Sequence, residues 1–492
     1  MLFNSLVFIL FFTVVTMLYW SCRHQWRWLF LLVSSCYFYM YLFPKYILIL
    51  FLLILIDYFA GIFIENTEGF RRKLFLILSL FSNVFILFYF KYTNFIVENT
   101  NYLGFDFTLK HIILPIGLSF HTFQSMSYTI EVYRKKHRAE RHLGVYALYV
   151  LFYPQLVAGP VERPQNILPQ IHRKAVFNYQ NFTDGLKLMA FGFFKKAVIA
   201  DRLSLTVDAV FNNYLSAGTI QLWLATLFFA FQIYCDFSGY TDIARGAAKT
   251  MGFDLMENFN KPYSATSIAD FWRRWHISLS TWFRDYIYIP LGGNKMGFLR
   301  QNIHILLVFT ISGLWHGAAW TFVFWGFLHG IGLIIENLAT KKATVTPSVK
   351  SPFWAKNALL KQFLVFIFVA LCWIFFRAEN LEKAFFILKN LFVFVPRIDG
   401  TFSLPIKHIL LGFLGIFSLK MIEYFQEKNS VLFLVNKQKN SVRFWVYFTL
   451  ILTIVFLGVY ENRQFIYFQF WVFFNTNCSN FNTNYTNFFS FF

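Results

Sequence analysis

Formal charge is what this sequence has least of. Asp, Glu, Lys and Arg together make up only 14% of its 492 residues, whereas soluble globular domains carry roughly 25%. Hydrophobic residues account for 57% of the chain, and Phe alone occurs 69 times, which is more than one soluble core can bury. A soluble globular protein is therefore excluded, and we expect lipid to be the solvent for most of this surface.

Acidic residues are scarcer than basic ones, which leaves a formal net charge of +20. A basic soluble protein would suggest nucleic-acid binding. Here, however, the Lys and Arg residues form short clusters between apolar runs rather than one continuous stripe. Such clusters follow the positive-inside rule of membrane proteins. The pattern argues against a nucleic-acid partner and in favour of the lipid bilayer as the first partner.

Cysteine is also scarce. The five cysteines form no CxxC pair, so their spacing indicates neither a zinc site nor a disulfide framework. We interpret them as small apolar fillers, and we expect no metal site.

Uncharged runs near the spanning length of about 18 residues recur along the chain. They predict an all-α polytopic membrane protein of roughly eleven transmembrane helices, with re-entrant or interfacial helices besides. The run at 2–20 has no basic segment before it, so we read it as a retained first helix and not as a signal peptide. The run at 301–335 is long enough for two passes, whereas the predicted pass at 143–161 is broken by two prolines.

The basic clusters give an orientation. Those at 23–27, 71–73 and 134–141 follow the first, third and fifth predicted passes. The loops after the second and fourth passes are poor in basic residues, and Lys91 is assigned to the latter loop. Odd passes therefore end in the cytoplasm, and the N-terminus is predicted to be extracytoplasmic.

Two regions depart from this pattern. Residues 236–300 are the least lipid-like part of the chain, rich in Trp, Arg, Asp, Gly and Pro. Irregular polar backbone is tolerated at membrane depth only when it is buried in protein or lines a wet cavity, so this segment either caps the cytoplasmic face or folds into the bundle as a site. Residues 471–492 form an Asn- and Phe-rich tail. We assign residues 1–470 to one membrane-embedded domain.

His316 is the sharpest candidate for chemistry. It lies inside the uncharged run at 301–335, where an ionisable residue is costly and is functional by default. A neutral imidazole keeps one donor and one acceptor, so His316 can act as a general base. We expect Gly313 and Gly317 to leave room for a substrate beside the ring. The alternative is a histidine that only bridges two helices by hydrogen bonds. His329, later in the same run, is interpreted as a packing or supporting residue.

The segment 270–286 reads as one amphipathic helix at 3.6 residues per turn. Its apolar stripe consists of Trp272, Trp275, Leu279 and Trp282, and its basic faces carry Arg273, Arg274 and Arg284. The helix is either interfacial, touching anionic headgroups, or its arginines hold a phosphate-bearing donor. His276 would point inward beside the stripe, where it either packs or orients a substrate.

Two carboxylates, Asp236 and Asp242, follow the long apolar run at 209–235. They either pair with Arg245 or other arginines, or orient an imidazole.

Several motifs carry a resemblance to a known family. They lie at 114–124, 155–160, 236–240, 257–259, 271–280, 288–293, 314–317 and 373–378. With these motifs in this order, the sequence resembles the membrane-bound O-acyltransferase family, and within it the branch that includes bacterial alginate O-acetyltransferases. His121 stands where a tyrosine is more usual in that branch.

The resemblance implies a ring of helices around a thin centre, with funnels from both sides. It implies transfer of an acyl group from a cytoplasmic thioester to a hydroxyl, with His316 at the position of the active histidine and His276 at the second polar position. His276 would hold the donor or polarise its carbonyl. Residues expected to bind substrate are Arg273, Arg274, Arg284, Trp272, Trp275 and Trp315, and those expected to support the site are Asp236, Asp242, Asp285 and His329.

We expect no bound cofactor, and acetyl-CoA or an acyl carrier protein thioester as co-substrate. The implied acceptor is an extracytoplasmic polysaccharide or cell-wall glycan, the implied location is the bacterial cytoplasmic membrane, and the implied partner is an extracytoplasmic esterase-like acetyltransferase. Three alternatives stay open: D-alanyl transfer to teichoic acid, a transporter or flippase, and a haem protein with His276 and His316 as axial ligands. The absence of an internal repeat weakens the transporter.

Overall fold

A computed structural model describes residues 1–41, 44–109, 112, 114–115, 117–156, 159–345, 357–396, 405–426, 435–460 and 466, without the side chains of residues 340–345. Across these ranges the regular secondary structure is entirely helical, which confirms the predicted all-α class. The tail predicted at 471–492 lies outside the described residues, and the single domain at 1–470 stays a prediction.

The described ranges contain nineteen α-helices, numbered here in chain order. The first ten are α1 Leu6–Ser21, α2 His24–Met40, α3 Ile47–Asn66, α4 Gly69–Tyr102, α5 Leu118–Tyr133, α6 Leu143–Leu151, α7 Tyr153–Leu156, α8 Pro164–His172, α9 Tyr179–Phe193 and α10 Asp201–Asn212. The others are α11 Thr219–Thr250, α12 Ile268–Arg274, α13 Ile277–Phe283, α14 Phe298–His316, α15 Trp320–Val345, α16 Ala358–Arg377, α17 Leu381–Phe392, α18 Ile406–Phe425 and α19 Asn440–Leu457. Two π-helical segments, Phe194–Ala200 and Arg284–Tyr288, extend α9 and α13.

Within the described ranges, seven helical segments are long and apolar enough, by length and composition, to cross a membrane. They are Pro44–Asn66, Gly69–Tyr102, Thr219–Thr250, Trp320–Ala339, Ala358–Arg377, Ile406–Phe425 and Asn440–Leu457. They confirm a polytopic membrane protein. The predicted set of roughly eleven passes is larger because it counted short and interrupted apolar runs.

The two doubtful runs resolve differently. The run at 301–335 forms two helices, α14 and α15, as predicted. The run at 143–161 forms α6 and α7 instead, with nine and four residues, whereas a helix needs about 20 residues to span a bilayer. Both short helices are buried in the protein.

Helix α4 is longer than its apolar run. It has 34 residues and ends at Tyr102, because residues 91–102 contain no Gly or Pro to stop it. The prediction that Lys91 lies in a loop is therefore wrong, and Lys91 is carried on a helix into the bundle.

Helices α9 and α11 pack backbone against backbone. A Cβ atom at Gly192 would lie 2.6 Å from the Gly239 carbonyl oxygen, and one at Gly185 would lie 2.7 Å from the Gly246 carbonyl oxygen. Small residues at two matching levels let the helices approach this closely. This packing brings the π-helical segment that follows α9 against the middle of α11.

Candidate active site

His316 is the last residue of α14, and only 3% of its surface is exposed. The centroid of its ring lies 5.0 Å from that of Trp315, 5.1 Å from that of Trp325 and 5.5 Å from that of Phe376. Helices α14, α15 and α16 each supply one of these aromatic rings. The imidazole therefore lies inside the bundle and not against lipid.

The glycines around His316 make room for a helix. A Cβ atom at Gly313 would collide with the carbonyl oxygen of Phe322, and one at Gly317 would collide with the Phe322 ring. Gly326 of α15 approaches Gly313 in the same way. The expectation that these glycines leave space for a substrate is wrong, because α15 fills that space.

Helix α4 caps the end of α14. The last carbonyl groups of a helix have no partner within it. Tyr92 Oη donates to the Leu314 carbonyl oxygen at 2.9 Å, and Lys91 Nζ donates to the Trp315 carbonyl and, at 3.4 Å, to that of His316. A cation is favourable at a helix C-terminus. Lys91 also lies close enough to interact electrostatically with the His316 ring, so it is a site residue that the sequence reading missed.

His276 occupies a break between two short helices. α12 ends at Arg274, Trp275 is extended with φ −104° and ψ 127°, and His276 is left-handed with φ 44° and ψ 54°. The prediction of one amphipathic helix over 270–286 is therefore wrong. A non-glycine residue in the left-handed region costs on the order of 1–3 kcal/mol, so surrounding contacts must hold it there.

The preceding loop holds the break open. The Asn260 N–H donates to the Arg274 carbonyl oxygen at 2.9 Å, and the Ile277 N–H donates to the Asn258 carbonyl oxygen at 3.0 Å. These two bonds satisfy backbone groups that a continuous helix would have paired internally. The segment turns inward as a result, and Trp272, Trp275, Leu279 and Trp282 are all buried in protein. The stripe is thus part of the core and not a lipid-facing surface.

Asn258 fixes the tautomer of His276. The Asn258 Oδ1 atom accepts hydrogen bonds from the Ser278 backbone N–H at 3.1 Å and from Ser278 Oγ at 2.8 Å. A backbone N–H is always a donor, so the amide oxygen, and not the NH₂ group, must face it. His276 Nδ1 lies 3.3 Å from the same oxygen and must therefore carry the hydrogen.

The other ring nitrogen of His276 is then a lone-pair acceptor. Its Nε2 atom is buried and has no hydrogen-bond partner among the residues that the structure describes. Burial lowers the pKa of His276 to about 3, so the ring is neutral at pH 7. In this tautomer the neutral ring accepts a proton or a hydrogen bond through Nε2, and its one donor, Nδ1–H, faces Asn258.

The two imidazoles belong to one aromatic cluster. The Phe120 ring lies 6.5 Å from His276 and 5.6 Å from Trp315, and His276 is close enough to His316 to interact with it electrostatically. The Trp325 ring lies 5.1 Å from His329 as well as from His316.

His329 has a defined partner. Its Nδ1 accepts a hydrogen bond of 3.3 Å from Trp272 Nε1, and the residue is fully buried. This contact agrees with the interpretation of His329 as a supporting residue, although its role in activity stays a prediction.

The arginines expected to bind a donor lie in or next to α12 and α13, the two short helices that flank His276. Arg274 pairs with Asp270 at 3.0 Å, and Arg284 pairs with its neighbour Asp285 at 2.8 Å. Arg273 is exposed, and it has no ion-pair partner within the described ranges. Asp285 is therefore a charge partner of arginine in this structure. The donor-binding role of the arginines stays a prediction.

Asp236 and Asp242 lie in a buried ion-pair cluster. Lys196 Nζ lies 2.6 Å from Asp236 and 2.7 Å from Asp201, and Lys195 Nζ lies 2.5 Å from Asp242. The predicted partner Arg245 is 3.8 Å from Asp242. In the described part of the chain neither aspartate is hydrogen-bonded to an imidazole. The adjacent lysines on the π-helical segment were missed, because only tertiary packing brings them against α11.

A backbone group late in the chain also contacts this ion-pair cluster. The second Asp236 oxygen accepts from the Ile466 N–H at 2.7 Å.

Among the described residues no three His, Cys, Asp or Glu side chains are arranged to hold a metal ion.

Comparisons with known proteins agree with the resemblance. Residues 71–378 match the model of the membrane-bound O-acyltransferase family. The chain is 39% identical over 394 residues to a peptidoglycan O-acetyltransferase of Helicobacter pylori, which covers 74% of this chain and 73% of the relative. It is 40% identical over 403 residues to a probable alginate O-acetylase of Pseudomonas aeruginosa, covering 80% and 75%.

A more distant relative carries a different acyl group in its name. The chain is 30% identical over 285 residues to a teichoic acid D-alanyltransferase of Streptococcus thermophilus, which covers 51% of this chain and 68% of the relative. The family match includes both imidazoles, Asn258 and Lys91. This chain belongs to the membrane-bound O-acyltransferase family and is a polytopic O-acyltransferase.

Proposed function

We propose that this enzyme transfers an acetyl group from a cytoplasmic thioester to hydroxyl groups of an extracytoplasmic polysaccharide or cell-wall glycan. The observation that carries the proposal is the buried His316, enclosed by aromatic rings beside the neutral His276. Relatives named for O-acetylation are 39–40% identical over about three quarters of the chain, whereas the D-alanyltransferase relative covers 51% of it at 30% identity. This difference favours acetyl over D-alanyl as the acyl group.

His316 acts as the general base in this proposal. It takes the proton of the acceptor hydroxyl as the oxygen attacks the thioester carbonyl carbon. The carbon–sulfur bond then breaks, the ester is left on the glycan, and the departing thiolate receives the proton from the imidazolium. The charge of the protonated ring is present only briefly, which suits a buried site.

His276 has a different task in the same reaction. Because its Nε2 atom carries a lone pair, it accepts a hydrogen bond from a substrate hydroxyl or amide N–H and orients that group. It does not polarise the thioester carbonyl, which needs a donor. This revises the carbonyl-polarising role that the sequence alone left open for His276.

Two indole groups are the nearest candidates for such a donor. The Nε1–H groups of Trp315 and Trp325 are buried without a hydrogen-bond partner among the described residues. Both rings lie within 5.1 Å of the His316 ring, centroid to centroid. An unpaired buried donor costs about 1–3 kcal/mol, and a substrate oxygen bound there would satisfy it. We propose that these indoles stabilise the negative charge that develops on the thioester oxygen.

The donor and partners follow from the same proposal. The thioester is acetyl-CoA or an acylated carrier protein, and Arg273, Arg274 and Arg284 lie near its phosphates. The enzyme sits in the bacterial cytoplasmic membrane with its N-terminus outside, as the basic clusters indicate. It hands the acetyl group to the glycan together with an extracytoplasmic esterase-like acetyltransferase.

The test is acetyl transfer by the purified full-length enzyme carrying His316→Ala. We expect glycan acetylation to fall by about 10²–10⁴-fold, because the general base is lost. His304→Ala is the matched control, since His304 lies on the same helix α14 but outside the aromatic cluster, and it should keep most of the activity. Retained acetylation by folded His316→Ala would overturn the mechanism. Preference for a D-alanyl thioester would overturn the acetyl assignment alone.

A further inference from the structure

A cavity of about 220 Å³ lies outside the cluster that holds the two imidazoles. Its walls come from the end of α1, the start of α2, the start of α6, the end of α8 and the loop after α11. Neither His276 nor His316 lines it. The cavity is therefore separate from the acyl-transfer cluster.

Half of the lining residues of this cavity are apolar or aromatic, and the other half are basic or donate hydrogen bonds. Five basic residues contribute to it, and no Asp or Glu does. They are His24, Arg27, His142, His172 and Arg173. Glu140 is not part of the lining, but it pairs with one lining residue, His172, at 2.7 Å, and it accepts from the His142 backbone N–H at 2.9 Å. The two arginines, which are charged at neutral pH, have no ion-pair partner among the described residues.

Two of these basic groups are held in fixed positions. The Arg27 guanidinium donates to the carbonyl oxygens of Cys22 and Ala175 at 3.1 and 2.8 Å, and its charge lies 4.9 Å from the centroids of the Tyr19 and Trp20 rings. Such contacts hold the cation in one place before any ligand binds.

His142 is fixed in a similar way. Its Nδ1 accepts the Val145 backbone N–H at 3.2 Å, and its ring packs on Trp28 at 4.5 Å. Because Nδ1 is an acceptor, Nε2 of the neutral ring must carry a hydrogen. His142 therefore contributes a donor to the cavity even when it is uncharged.

The start of α2 adds to the same potential. His24 and Gln25, in its first turn, line the cavity, and no side chain caps the helix at Arg23. The first amide groups of this 17-residue helix and its dipole favour a negative charge nearby.

We propose that this cavity binds a phosphate ester group, supplied either by a phospholipid headgroup or by a soluble molecule. Arginine, imidazole N–H groups and helix amides are the donors that phosphate oxygens prefer. The volume lies below the roughly 300 Å³ at which small-molecule pockets usually begin, so it fits a phosphate group and not a whole nucleotide or acyl chain. Basic pockets in membrane proteins bind lipid headgroups.

The experiment measures binding to the purified full-length enzyme in uncharged detergent by thermal shift and titration. Three probes are used: dihexanoyl phosphatidylglycerol, inorganic phosphate, and dihexanoylglycerol, which has the same chains without phosphate. The variant is Arg173→Gln, and the matched control is Lys174→Gln, which removes the same charge one residue away but does not line the cavity.

We expect the phosphate probes to bind, and Arg173→Gln to weaken them about tenfold through loss of one charge-assisted contact. Lys174→Gln should bind as the native enzyme does. Binding of the lipid alone assigns the site to headgroups, and binding of inorganic phosphate as well assigns it to phosphate esters in general. Equal binding of dihexanoylglycerol, or an equal loss in both variants, would overturn the proposal. Acetyl transfer is not part of this readout, so the outcome is independent of the proposed function.

Discussion

The two imidazoles of the candidate active site reach the same cluster by opposite means. His316 ends a regular helix inside an uncharged run, and its place is set by glycine-to-backbone packing between α14 and α15. His276 sits at a break in a polar segment, and loop hydrogen bonds centred on Asn258 hold it in a left-handed conformation. Packing positions the first ring and hydrogen bonding positions the second. Substitutions that disturb the packing around His316 should therefore leave the hydrogen bonds around His276 largely unchanged, and the reverse should also hold.

The largest effect is expected where backbone meets backbone. In Gly326→Ala the new methyl group would collide with the Phe309 carbonyl oxygen, which cannot move without its helix. We expect a loss of about 1–3 kcal/mol or more, measured as a lower Tm in detergent together with loss of acetyl transfer. In Gly330→Ala, on the same helix, the new methyl group would lie 3.0 Å from Leu306 Cδ1 and 3.2 Å from Leu306 Cα. These contacts are looser than the one at Gly326, so this variant should be destabilised less. Equal stability of the two variants would contradict packing as the means that positions His316.

A smaller effect, on chemistry and not on folding, is expected at Asn258. Asn258→Asp keeps the oxygen that accepts from Ser278, and the Nδ2 atom it replaces has no hydrogen-bond partner in the described structure. The new negative charge should raise the pKa of His276 above its value of about 3.

This change has a definite sign in the pH profile. Protonation removes the Nε2 lone pair, so activity of Asn258→Asp should fall on the acid side at a higher pH than in the native enzyme. The pH dependence of kcat measures it. Asn260→Asp adds the same charge in the same loop through an exposed side chain and should not shift the profile. An unshifted acid limb in Asn258→Asp would rule out this control of the His276 proton.

The smallest effect is expected at Glu162, whose carboxyl group contacts the loop that carries Asn258. Its carboxylate accepts the Met256 N–H at 2.6 Å and Asn166 Nδ2 at 2.7 Å, and burial raises its pKa from 4.5 to about 7. The folded state therefore holds a proton that the unfolded chain releases, and stability should fall as the pH rises from about 4.5 to about 7.

Glu162→Gln removes this titration. The variant should show a flatter dependence of Tm on pH across that window, with its largest gain over the native enzyme near pH 7. Asp106→Asn is the control, because Asp106 is an exposed carboxylate that is not among the groups acting on Glu162. Parallel Tm profiles for native enzyme and Glu162→Gln would contradict the buried carboxyl as their cause.

The sequence was informative where a property depends on composition or on single positions. The uncharged run at 301–335 indicated two helices with His316 inside them, and both features are found. The same reasoning failed at His276, because the 3.6-residue stripe at 270–286 is compatible with a helix and carries no sign of the Asn258 contacts that interrupt it. Periodicity reports local preference only, and the interruption comes from a residue 18 positions away.

The sequence by itself determined that this chain is a helical membrane protein and that His316 and His276 are its candidate reactive groups. These conclusions need only the hydropathy of each segment and the identity of single ionisable residues. Only the tertiary structure decided which nitrogen of His276 bears the proton, that α15 and not substrate fills the space beside Gly313, and that Lys91 from α4 caps the end of α14. Each of these depends on which distant backbone atoms come into contact, and contact is a property of the packed bundle.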